Sequence, residues 1–418
     1  MPCARSSNWP LERIADMGYL APLLSFLVFG LALLLAGLLL RSPWVARHLE
    51  PVAGRWATLD GLRGYLALGV FIHHAAIAWH YQHTGQINMP PERFFAQIGQ
   101  ASVALFFMIT GFLFWSRLVR QGRAFDWRAF AVSRVMRLYP LYFGLLAAVL
   151  VTVFYLQGWK LLDTPTALAQ QLSAWLLFHR PDINQLAGTG NLISNVTWTL
   201  NYEIYFYLAL PLLGMMFVYR GTLLRAVACV VALYLLAKLV GWEHALKKKY
   251  LMSFAGGIAA VYWVRSPGLV QWAKGRYGTW IAIGLLVLVM AVLHKTFAVF
   301  PLLLLSLVFC IIVSGNDLLG ALALRSARWL GEISYSLYLL HGLVLWWLAY
   351  RLYPSYGFTY DDPGAFMAVI ALACTVLVVL SSATFLLLEK PGIALGKRLA
   401  QRPQAKPDNL KSGSTHQA

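Results

Sequence analysis

LDGLRGYLALGVFIHHA, the stretch from Leu59 to Ala75, places an arginine and a histidine on one otherwise apolar helix. Arg63 and His74 are eleven residues apart, so they share a face and stand about 16 Å apart along the axis. Ionisable groups inside a membrane are costly and mark a functional site by default. A guanidinium at one depth and an imidazole at another suit a site that grips an anion and moves a proton. Ala67 and Val70 lie between them on the same stripe and are small, which leaves a narrow path beside the helix.

The rest of the chain puts that helix in a bilayer. Of 418 residues, 60% are hydrophobic, 12% are charged and 16 are tryptophan, a balance that excludes a soluble domain. Apolar runs of spanning length recur, at about 18–40, 61–80, 98–116, 138–157, 193–217, 222–241, 250–264, 277–293, 297–314, 329–350 and 364–388. They predict an all-α, polytopic protein of about eleven spans. Residues 1–55 form an N-terminal segment with one extra helix that is retained rather than cleaved. Residues 56–392 form the membrane domain. Residues 393–418 form a cytoplasmic tail, polar and disordered from Gln401 onward.

The formal charge of +18 does not call for nucleic acid, because the basic residues sit in short loops between apolar runs. Arg41, Arg47, the cluster from Arg117 to Arg137, Arg265, Arg325 and Lys397 all fall on one side if the N-terminus is outside. The positive-inside rule then predicts a cytoplasmic C-terminus in a cytoplasmic membrane. Lys247–Lys249 runs against this: either that boundary is misplaced or the outer mouth has a basic rim. Cys3, Cys229, Cys310 and Cys374 lack ligand spacing, so no metal and no disulfide is expected.

Two other spans carry polar groups at related depths. Glu203 follows WTLNY by one to two turns inside the outer boundary. Ser334, Tyr338 and His341 follow at i, i+4 and i+7 on one helical face, with His341 about 18 Å above the start of its span. His74, Glu203 and His341 are the candidate catalytic residues, converging near the outer half. Arg63, Arg134 and Arg137 lie below them, suited to phosphates through charge-assisted hydrogen bonds. A neutral imidazole makes a base near pH 7, a carboxylate on its other nitrogen fixes the tautomer, and Ser334 or Tyr338 supplies an oxyanion or orienting hydroxyl. The pattern suits transfer from an anionic cytoplasmic donor to an acceptor outside.

Five blocks in order make the chain resemble the large membrane acyltransferase family 3. They are LDGLRG (Leu59–Gly64) through His74, ALFFMITGFL (Ala104–Leu113), RVMRLYP (Arg134–Pro140), WTLNYE (Trp198–Glu203) with FYL (Phe206–Leu208), and ISYSLYLLH (Ile333–His341). EKP (Glu389–Pro391) matches the close of the last helix. The resemblance implies a ten-helix core, acetyl-CoA or another acyl-CoA as donor substrate rather than a resident cofactor, and a hydroxyl acceptor. That acceptor is a cell-surface carbohydrate, a lipid-linked glycan or a small metabolite. The family's paired arginines fall on Arg134 and Arg137, and its arginine–histidine pair on Arg63 and His74. His73 duplicates the histidine position; it points about 100° away and reads as a packing group.

Competing readings use the same residues. The arginines suit plain anchors at helix ends, and Ser334 and Tyr338 suit interhelical hydrogen bonds. A glycan transporter or flippase would also bury Arg, Glu and His, although no repeat symmetry of that type is visible.

Overall fold

The computed structural model describes residues 16–49, 56–219, 222–225, 227–231, 247–352 and 363–401. Among these the chain is all-α, and the only bridge between extended residues is an isolated one from Ile183 to Leu186. The helices are α1 (Asp16–Leu39), α2 (Ala57–Thr84), α3 (Arg93–Gln121), α4 (Trp127–Leu156), α5 (Pro165–Leu176) and α6 (Trp198–Phe217). Then come α7 (Lys248–Trp263), α8 (Pro267–Lys274), α9 (Arg276–Ala291) and α10 (Val299–Val313). The last are α11 (Arg325–Glu332), α12 (Ser334–Leu345), α13 (Pro363–Thr384) and α14 (Lys390–Ala400).

Local chemistry sets several ends. The Asp126 carboxylate accepts the Ala129 N–H at 2.9 Å and caps α4. Thr164 caps α5 in the same way, with Pro165 in the first turn. Gly85, at φ 68°, adopts the left-handed conformation that stops α2.

Four stretches are long and apolar enough to cross a membrane, 93–124, 127–156, 198–217 and 363–400. Counting α8 with α9, and α11 with α12, as bent single spans raises this to six. The expected number of about eleven is not reached among the described residues, for physical reasons. Helix α2 carries Asp60, Arg63 and four histidines, which dilute its apolar character. Helix α10, at 15 residues, is shorter than a bilayer core requires. The run at 222–241 falls largely outside the described residues.

Helix α2 is the axis of the bundle, packed between α3 and α11. Two apolar cores flank it. One is built around Phe71, Trp175 and Trp329, the other around Phe107, Phe112 and Phe309. The contact between α2 and α11 is backbone-close. A Cβ on Gly64 would lie 2.7 Å from the Ala327 carbonyl oxygen, and one on Gly331 would collide with the backbone of Asp60.

One sequence expectation changes here. The span at 329–350 is not one straight helix, since α11 and the stretch from Ser334 meet at 71° around Ile333. The depth of His341 is therefore counted from Ser334, about 10 Å rather than 18 Å. A π-helical turn over Phe385–Glu389 joins α13 to α14, and helix continues to Ala400. Residues 402–418, the rest of the expected tail, fall outside the described residues. Lys247–Lys249 sits at the start of α7, beside the opening of α6. The Lys247 N–H donates to the Tyr202 hydroxyl at 3.1 Å, and Lys249 lies over the Tyr250 ring, near Trp198 at the opening of α6.

The α2–α11 contact predicts that Gly331→Ala lowers stability by about 1–3 kcal/mol, because neither backbone can yield. Gly30→Ala, whose Cβ would meet nothing within 4 Å, should not lower it. Thermal unfolding of the purified protein in detergent compares the two, and equal melting temperatures would refute the close-packing account.

Candidate active site

The seam between the two apolar cores opens into a cavity of about 410 Å³, within the range of small-molecule sites. Its walls come from α2, α3, α4, α6 and the broken α11–α12 pair, with α14 beside one end. Along α3 it runs from Phe114 to Val103, a length of about 16 Å.

One end of this cavity is basic. Arg63 enters from α2, Arg134 and Arg137 from α4, and Lys397 from α14. The Arg134 guanidinium sits 4.8 Å from the centre of the Phe114 ring and donates to the Ser133 hydroxyl at 3.0 Å. Its Nε is buried and has no hydrogen-bond partner among the described residues. Arg137 reaches Glu389 at 3.7 Å. The π-helical turn carries Glu389 fully into the protein, where its other oxygen accepts the Ser336 hydroxyl.

Glu203 lines the same cavity but does not orient an imidazole. Its carboxylate accepts the Thr110 hydroxyl at 3.2 Å and the Tyr207 hydroxyl at 2.9 Å, one on each oxygen. Tyr207 is one turn beyond Glu203 on α6, which places the hydroxyl over the carboxylate. Ser334 also lines the cavity, with its buried hydroxyl oxygen unpartnered among the described residues. It lies about 10 Å along α12 from His341, level with the basic half rather than with the imidazoles.

The other end of the cavity is aromatic. Phe106 and Tyr338 line it with ring centres 6.1 Å apart, and Val103 lies about one turn further along α3. The Tyr338 hydroxyl shares a hydrogen bond with Thr199 Oγ1 at 2.8 Å and lies 3.1 Å from the Val196 carbonyl oxygen. It is therefore engaged by the protein and not free to serve as an oxyanion donor.

His74 and His341 stand together just beyond this aromatic layer, outside the cavity wall. Their ring centres are 5.0 Å apart, and the Tyr338 and His341 rings are 5.9 Å apart. His341 Nδ1 lies 2.6 Å from the Tyr338 carbonyl oxygen, which assigns the proton to Nδ1 in the neutral ring. Its Nε2, buried and unpartnered among the described residues, then carries the lone pair. His341 is fully buried, whereas His74 keeps some accessible surface. His73 is turned aside, with Nδ1 2.7 Å from the Phe95 carbonyl oxygen and its ring against Gly99.

Arg63, Arg134, Arg137, Glu203, Ser334 and Tyr338 thus share one cavity, and His74 and His341 form a separate pair one ring away. Sequence reasoning missed Glu332, Glu389, Thr110, Tyr207 and Lys397. Glu332 and Glu389 did carry a signal, a carboxylate at the end of an apolar run. The spacing of Tyr207 from Glu203 was also readable. Thr110 carried none. Among the described residues no three His, Cys, Asp or Glu side chains gather as a metal site.

A family model described as an acyltransferase domain matches residues 56–385. Nodulation protein 10 of Rhizobium leguminosarum bv. viciae is 27% identical over 235 residues, which cover 53% of this chain and 60% of that protein. Exopolysaccharide production protein ExoZ of Rhizobium meliloti (strain 1021) is 27% identical over 252 residues, 58% of this chain and 76% of that protein. The match thus spans less than two thirds of the first relative's length. No solved structure matches the chain.

Removing Arg137 strands a buried carboxylate. Arg137→Ala should cost roughly 3 kcal/mol of stability, and Glu389→Gln in the same chain should recover much of it. Thermal melts of wild type, single and double variants test this. A double variant no more stable than Arg137→Ala would show that Glu389 is not held by that arginine.

Proposed function

The chain belongs to the acyltransferase-domain family, and on that premise we propose that it is an integral-membrane O-acetyltransferase. The donor is acetyl-CoA and the acceptor a hydroxyl of a cell-surface polysaccharide or lipid-linked glycan. The observation that carries this reading is the basic cavity ending one ring short of an imidazole pair. The exopolysaccharide production protein among its relatives favours the carbohydrate acceptor. The basic end faces the cytoplasm, as the Lys/Arg distribution favours, and the histidines face outward.

In this scheme Arg63, Arg134, Arg137 and Lys397 hold the phosphates of the donor, and its pantetheine arm runs up the cavity past Ser334. The acceptor hydroxyl comes from the other side and meets His74, the imidazole with accessible surface. His74 takes the hydroxyl proton, and His341 supports its ring. The alkoxide attacks the thioester carbonyl, the C–S bond breaks, and the coenzyme thiolate leaves, recovering a proton from the His74 imidazolium. Attack requires the two halves to meet, so Phe106, whose ring no hydrogen bond ties, swings aside when the acceptor binds while Tyr338 stays fixed. Glu203, tied to two hydroxyls, holds α3 and α6 together beside the donor arm.

Purified protein incubated with radiolabelled acetyl-CoA and surface glycans tests the reading. His74→Ala should reduce label transfer by about 10²-fold or more while the protein remains folded. Full activity in that variant would remove the base assignment. Arg134→Ala should raise the donor KM by about tenfold, the worth of one charge-assisted hydrogen bond, with kcat largely kept. An unchanged KM would reduce Arg134 to a helix-end anchor. Glycan movement into vesicles without label transfer would favour a transporter instead.

A further inference from the structure

Aromatic side chains narrow the far part of the donor cavity. Phe106 and Tyr338 meet there with ring centres 6.1 Å apart, and the histidines lie behind them. This wall is stiff. The Tyr338 hydroxyl is held by Thr199 Oγ1 and by the Val196 carbonyl. Val196 itself is fixed by the loop before it, where Ser194 and Asn195 take left-handed backbone angles of 50° and 55°. Arg180 donates to the Asn195 carbonyl at 2.8 Å and to Thr197 Oγ1 at 3.1 Å, and the Asn195 side chain donates to Asn191 at 2.7 Å. Moving the tyrosine ring outward therefore means breaking a connected set of hydrogen bonds around a strained turn.

Resting on the donor reading above, we infer that the Phe106–Tyr338 pair limits the acyl group of the donor to acetyl or a size close to it. A donor whose phosphates are fixed at the basic end has its thioester at a set height in the cavity. The acyl group then lies against the two rings. Each further methylene must displace a ring or fold back into a slot already filled by the pantetheine arm. A tight apolar site discriminates by about tenfold or more for one methylene. Phe106 is the more adjustable of the two walls, because no hydrogen bond ties its ring. Both act as specificity determinants and take no part in the proton transfer.

The test is binding of coenzyme A, acetyl-CoA, butanoyl-CoA and hexanoyl-CoA to the purified full-length protein in detergent, by titration calorimetry. Wild type should bind the first two with similar affinity and hexanoyl-CoA at least about tenfold more weakly. Phe106→Ala should restore most of that loss while leaving coenzyme A affinity unchanged. Tyr338→Phe, which keeps the ring but frees it from Thr199 and Val196, should relax the discrimination in part. Where Phe106→Ala does not fold, Phe106→Leu serves, and it should relax the penalty for butanoyl-CoA first. Equal affinity of wild type for acetyl and hexanoyl donors would overturn the inference, as would an unchanged profile in the folded Phe106 variant. Failure of wild type to bind coenzyme A or any thioester would instead overturn the donor reading itself, and the filter with it.

Discussion

A charge in the middle of an apolar bundle must be met by another polar group, and the architecture around the cavity follows from that requirement. Glu389 is fully buried and is tolerated because Arg137 and the Ser336 hydroxyl face it. Glu203 is tolerated because Thr110 and Tyr207 each donate to it. These partners come from four different helices. Glu203 thereby joins α6 to α3, Glu389 joins the π-helical turn to α4 and α12, and a polar cavity lies between the two sets.

The same requirement explains the interruptions in the helices. A straight α13 would not present Glu389 to Arg137 in the same way, and a π-helical turn shifts the side chain around the axis. The 71° turn at Ile333 brings Glu332 and Ser334 to the cavity while α12 rises toward the histidines. In a membrane, such breaks are affordable only where protein or a polar cavity receives the exposed backbone. Both breaks here adjoin the cavity or the residues that build it.

The cavity and the imidazole pair are two compartments rather than one. Charge collects at one end, where a soluble anionic donor would enter. The neutral rings of His74 and His341 lie beyond Tyr338, away from the arginines. Separation keeps the imidazoles from the guanidinium charges, which would oppose their protonation during proton transfer. In the proposed reaction it would also keep the thioester apart from the acceptor side until both substrates are in place.

Much of this was legible along the chain. The repeated apolar runs required a helical membrane protein, since only hydrogen-bonded helices or closed barrels satisfy a backbone in lipid. The three-turn spacing of Arg63 and His74, and the stripe of Ser334, Tyr338 and His341, follow from helical periodicity alone. Which side chains meet across helices did not follow. Glu203 was expected at an imidazole and lies against Thr110 and Tyr207, because relative rotation and depth of helices depend on packing at contacts such as Gly64 and Gly331 with α2 and α11. Sequence by itself determined the chemical groups and their order along each helix, because period and composition are local properties. Tertiary structure alone decided that Tyr338 and Phe106 divide the arginines from the histidines, because that division depends on neighbours more than two hundred residues apart in the chain.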